Sequence, residues 1–186
     1  MKKLTVMTLA LALVVVLVAA VGCSSGNTTT AKNDMKTADA AYAAVNKQLT
    51  SLQNLLTPIL VGALSGNFAA LTPAALSNAT AEITKIMAEL QKVKADYEKI
   101  TTLTGVPDYV TYANAMVKVV GLQEAALTGA QKVLSDLTPL VQAGNTAAIS
   151  QYFITNAQTL NNLQNAQTAI TTAENAAKAI KTSKNL

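Results

Sequence analysis

Glu82, Lys85, Glu89, Lys92, Asp96 and Lys99 follow one another at steps of three and four residues, with alternating sign. On a helix these steps place all six along one stripe. The chemistry within reach is a carboxylate site made of Glu82, Glu89 and Asp96. Successive acids, however, stand two turns apart, about 10 Å along the axis, with a lysine between each pair. That spacing does not let them share a metal ion or a proton. The stripe reads instead as a ladder of opposite charges at the edge of a buried face, each neighbouring pair contributing about 0.2–0.5 kcal/mol.

The rest of the chemical inventory is short. The chain has no His and no Trp, and every one of its basic residues is Lys. Without His there is no ordinary base to activate a Ser, and no Glu-x-x-His pair of the kind that builds metal sites in helical bundles. Without Arg there is no planar clamp for carboxylate or phosphate. No Gly-rich phosphate loop is present. The expectation is a protein that is not an enzyme and has no metal. Gln123 and Gln167 fall on apolar stripes, where buried amides need partners. Bonding to each other would make a polar layer that fixes helix register, and a ligand contact is the other reading. Tyr97, Tyr109 and Tyr112 lie near Gly105 and are expected at one end of the fold, as an ordinary rim or around a small pocket.

From Thr138 to Ala173 no residue is charged, yet the stretch is rich in Asn, Gln and Thr and so is not a membrane span. It presents an uncharged amide face of Asn156, Gln158, Asn161, Asn162, Gln164 and Asn165, continued by Thr168. This is either a solvated surface or a contact face for a partner or a second copy, because interface cores are depleted in charge.

The single cysteine, Cys23, ends the run Ala20-Val21-Gly22-Cys23, which follows Lys2-Lys3 and an apolar segment from Leu4 to Val21. A positive start, an apolar stretch and small residues before a cut site make an export signal. With the cysteine at the cut, the segment resembles the signal peptide of a bacterial lipoprotein, with Ala20 where that family usually carries Leu. The resemblance covers about the first 26 residues. It implies a diacylglycerol on the Cys23 sulfur, cleavage before Cys23 and an N-acyl chain on the new terminus, with no other cofactor. Ser24 after the cysteine implies an outer-membrane address if the host has two membranes. Leu4 to Gly22 is also long enough to span a bilayer uncleaved. Either way, residues 27–186 are expected outside the cytoplasm on a membrane.

The elements that must carry these residues are set by apolar periodicity. Tyr42, Val45, Leu49, Leu52, Leu56 and Ile59 step by three and four, as do Leu76, Ala79, Ile83, Ile86, Leu90, Val93, Tyr97 and Ile100. A third run extends from Val106 through Tyr109, Ala113, Met116, Val120, Gln123, Leu127, Ala130, Leu134 and Leu137 to Val141. A looser fourth holds Ile149, Phe153, Ala157, Leu160, Leu163, Gln167, Ile170, Ala177 and Ile180. Such steps make one apolar helix face each. Gly66-Asn67, Thr72-Pro73, Gly105 with Pro107-Asp108, and Gly144-Asn145 supply the stops and starts. Pro58 and Pro139 are expected to kink or end the first and third helices. Short connections force neighbours to alternate in direction. The predicted fold is all-α, an antiparallel up-down-up-down four-helix bundle over residues 34–186, behind residues 23–33 as lipidated cysteine and flexible tether. Residues 1–22 are the signal peptide.

With Lys2 and Lys3 in the signal, 12 of the 14 basic residues remain against 10 acids. That balance is too even to argue for nucleic acid. The functional expectation is a membrane-anchored envelope lipoprotein acting through protein contacts or self-association, as an adaptor, spacer or complex subunit. The alternative is a binding module that holds a small apolar or amphipathic ligand between its helices.

Overall fold

A computed structural model describes residues 24–186. The signal-peptide reading and the Cys23 lipidation site lie outside the described residues. Five helices follow one another: α1 (Ser24–Leu64), α2 (Pro73–Thr101), α3 (Pro107–Gln142), α4 (Thr146–Thr155) and α5 (Ala157–Ser183). No strand occurs among the described residues, and the fold class is all-α. The helices bundle around one continuous apolar core. None of them is long and apolar enough to cross a membrane.

α2 buries Leu76, Ala79, Ile83, Ile86, Leu90, Val93, Tyr97 and Ile100, the stripe its periodicity predicts. Its start is capped as expected, with the Thr72 hydroxyl accepting from the Ala75 amide at 3.1 Å and Pro73 in the first turn. α3 is buried over a wider arc. Tyr112, Val119 and Val133 join the expected stripe, because α3 packs against α1, α2, α4 and α5. Gly66, Gly105 and Gly144 carry positive φ at the turns, a conformation that costs residues with a Cβ.

Three expectations are corrected. Ser24–Asn33 is not a flexible tether but the first part of α1. Its apolar stripe begins at Ala31 and runs through Met35 and Ala38 into Tyr42 and Val45. Ala31 is fully buried, and the Asn27 side chain donates to the Thr104 carbonyl at 2.9 Å. Packing outweighs the weak helix propensity of Thr28-Thr29-Thr30. Next, of the kink or early end expected at Pro58 and Pro139, the early end is corrected: both lie inside their helices, and α1 continues to Leu64 and α3 to Gln142. Finally, the fourth apolar run is two helices. Asn145 caps α4 by accepting from the Ala148 amide at 3.0 Å. Asn156 then breaks the run: both its backbone N–H and its side-chain Nδ2 donate to the Tyr152 carbonyl at 2.9 Å. An Asn side chain that competes for helix carbonyls favours a stop.

The helices do not enclose the core evenly. α2 packs along α1 and α3, and α5 along α3, but no Cα of α5 comes within 8 Å of one in α1. The α1–α5 seam is crossed by side chains instead.

Candidate functional site

Those bridging side chains form a polar cluster that joins four helices. On α1, Asp39, Tyr42 and Asn46 step by three and four and share a face. On α5, Glu174, Lys178 and Lys181 do the same. One Asp39 oxygen accepts from the Tyr97 hydroxyl of α2 at 2.7 Å and the Tyr112 hydroxyl of α3 at 2.8 Å. Its other oxygen accepts from the Lys181 ammonium of α5. A single carboxylate thus ties four helices. The Lys181 nitrogen also lies 5.6 Å from the centre of the Tyr112 ring, within range of a cation–π attraction. Tyr97 and Tyr112 meet edge to face, with ring centres 6.1 Å apart.

The next layer toward the middle of α1 is an amide and a phenol. The Tyr42 hydroxyl donates to the Glu174 carboxylate and accepts from Gln123 Nε2 at 2.9 Å. The same Gln123 nitrogen reaches Asn46 Oδ1 at 3.3 Å. Gln123 is buried, as its place on the stripe predicts. Its Oε1 has no hydrogen-bond partner among the described residues.

Beside these groups is an open cleft of about 280 Å³ between α1 and α5. Its chemistry is that of a clamp. Burial, with the neighbouring Asp39 carboxylate, pushes the phenols of Tyr97 and Tyr112 well above the ordinary tyrosine range. Burial, with Glu174, does the same to Tyr42. The three phenols stay protonated and act as hydrogen-bond donors. Both acids in the cleft are engaged by these donors.

The residues singled out by sequence are placed as follows. The charge ladder lies at the edge of the α2 core face, but Asp96–Lys99, at 2.6 Å, is its one closed pair among the described residues. Glu89 accepts from Gln48 of α1 at 2.7 Å instead, and Lys94, off the ladder, bridges to Glu124 of α3 at 3.3 Å. Glu82, Glu89 and Asp96 do not converge; no metal-ligand cluster occurs among the described residues. Gln167, expected in the core beside Gln123, is exposed. It lies on the side of α5 that faces α1, and α1 does not come close enough to cover it. Ala157 of the same run is exposed, and Tyr109 is only partly buried. In the amide face, Gln158, Asn161, Asn162, Gln164 and Asn165 are exposed on α5, while Asn156 is half-buried at the α4–α5 break.

Sequence reading missed Asp39, Glu174 and Lys181. A faint signal existed: Asp39 and Asn46 stand three before and four after Tyr42, so they flank it on the same helix face. No family model, no curated protein and no solved structure matches the chain.

Proposed function

We propose that the chain is a non-enzymatic lipoprotein of the cell envelope, anchored through acylated Cys23 and acting by protein contacts as an adaptor, spacer or complex subunit. The Gly22-Cys23-Ser24 junction behind an apolar run carries this reading. Two further observations support it. Ser24, the first described residue, already belongs to α1, so residues 24–33 do not form a flexible spacer in front of the bundle. The amide face on α5 is exposed, as a contact surface must be. In this reading the helices form an antiparallel up-down-up-down four-helix bundle, its last helix divided at Asn156. In a host with two membranes the bundle stands in the periplasm on the outer membrane.

The second reading, a carrier of a small apolar or amphipathic ligand, draws on the gap between α1 and α5. The fully buried Ala79 and Ala113 favour close helix packing over a lipid-sized interior. Capture of the native protein from membranes separates the two. A stoichiometric protein partner supports the contact reading, and co-purified lipid released by organic extraction without a protein partner supports the carrier. A Cys23→Ser chain that stays with the membrane fraction as firmly as the unaltered chain contradicts the anchor.

A further inference from the structure

Asp39 and Glu174 line the same cleft from opposite helices, and their partners differ by one group. Asp39 accepts from two phenols, Tyr97 and Tyr112, and from the Lys181 ammonium. Glu174 accepts from one phenol, Tyr42. No ammonium of the chain closes on it. Lys178, one turn further along α5, also lines the cleft but enters no ion pair among the described residues. Behind Tyr42, the Gln123 amide bonds the same hydroxyl and leaves its buried Oε1 without a partner among the described residues. The second carboxylate is thus built like the first, with a phenol but without a lysine of its own.

We infer that the α1–α5 cleft binds a small primary monoamine, its ammonium on Glu174 and its alkyl chain against Met116 and the tyrosines beside it. At about 280 Å³ the cleft lies just below the range of about 300–1,000 Å³ that holds drug-sized ligands, so its occupant is small. Met116, Tyr42 and Tyr112 supply the apolar lining. An ammonium there gains a charge-assisted hydrogen bond to the carboxylate and the attraction of a phenol ring, as Lys181 does beside Asp39 and Tyr112. An anion is the weaker fit. Lys178 is exposed, so its charge is hydrated and screened, whereas Glu174 is half-buried. A carboxylate drawn to Lys178 would also stand beside Glu174. A diamine or a divalent metal ion would bring a second positive charge toward Lys178 and Lys181. The site goes beyond the contact reading and does not depend on the anchor. It rests on the second reading's gap between α1 and α5 and gives that reading a ligand class.

Titration calorimetry of butylamine into the full chain, purified from membranes in detergent and held at neutral pH, tests the site. The Glu174→Gln chain in the same micelles corrects for amine taken up by detergent, and circular dichroism confirms that each variant is folded. The expected result is saturable one-to-one binding, at least tenfold weaker in Glu174→Gln. Butanoate and butanediamine should each bind at least tenfold more weakly than butylamine. Lys178→Ala removes a competing charge and should tighten binding. Tyr42→Phe frees a Glu174 oxygen and should not weaken it. No saturable binding to the unaltered chain, equal binding by Glu174→Gln, or equal binding of butanoate or butanediamine overturns the site. Binding seen only after Lys178→Ala gives the carboxylate to Lys178 and overturns it equally. A loss in Tyr42→Phe as large as in Glu174→Gln makes Glu174 a support for Tyr42 rather than the amine's partner, and also overturns it. The carrier reading is decided separately: lipid released by organic extraction from a chain that ignores butylamine leaves that reading standing and the amine site refuted.

Discussion

Asp39 accepts from two buried phenols and an ammonium on three other helices, so removing it leaves two phenols and an ammonium without their acceptor. An unsatisfied buried donor costs about 1–3 kcal/mol. Asp39→Ala is therefore expected to lose about 2–4 kcal/mol in urea unfolding, and Asp39→Asn, which keeps an acceptor oxygen, less. The tyrosines give a pH signature. Tyr42, Tyr97 and Tyr112 have folded pKa values raised above the ordinary value of 10. The folded state then holds protons that the unfolded state releases, so their contribution is complete below pH 10 and falls as pH rises beyond it. Each contributes a loss of up to about 1.4 kcal/mol per pH unit. Phenolate absorbance from these three should appear together with unfolding, whereas Tyr152, raised to about 12 by burial and Asp136, ionises near pH 12 if the fold survives. At this scale the sequence was legible where polarity interrupted a stripe, as at Gln123. It was not legible at Gln167, whose exposure depends on how far α1 lies from α5, a distance no local pattern encodes. Nor was Asp39, an acid beside an apolar stripe, distinguishable from the solvated acids of α2.

The helices themselves were largely readable, because α2 is wrapped on its core side by α1 and α3 and has one periodic face with a Thr-Pro start. α1 was read too short. Ala31 and Ala38 are small enough to look like filler between polar residues, yet they are fully buried. Hydrogen exchange checks this: the amides of residues 31–38 are expected to be protected about as well as those of α2, and rapid exchange there would restore the flexible tether. Two glycines in long helices should answer substitution in opposite directions. At Gly121 in α3 a Cβ meets nothing within 4 Å, so Gly121→Ala should gain up to about 1 kcal/mol of helix propensity. At Gly62 a Cβ would stand 2.7 Å from the Asn67 carbonyl oxygen, an atom of the turn whose own amide bonds Gly62 at 2.8 Å. Gly62→Ala should lower the melting temperature despite the same propensity gain.

Taken whole, the molecule is a helical bundle in which residues 48–81 and 137–173 carry no charge, while the Lys132–Asp136 pair of α3 reaches Tyr152 of α4. α1 spans 41 described residues, about 60 Å of helix. The split of the fourth run and the open α1–α5 seam were beyond sequence reading, since both arise from packing between elements distant in the chain. The fold needs no disulfide, for it has one cysteine, and that cysteine is free to serve as the anchor. The most direct test is intact-mass spectrometry of the chain extracted from membranes of a lipoprotein-processing bacterium. The expected product begins at Cys23 and carries a diacylglycerol and an N-acyl chain. A chain that begins at Met1, or one that begins at Cys23 without lipid, contradicts the account.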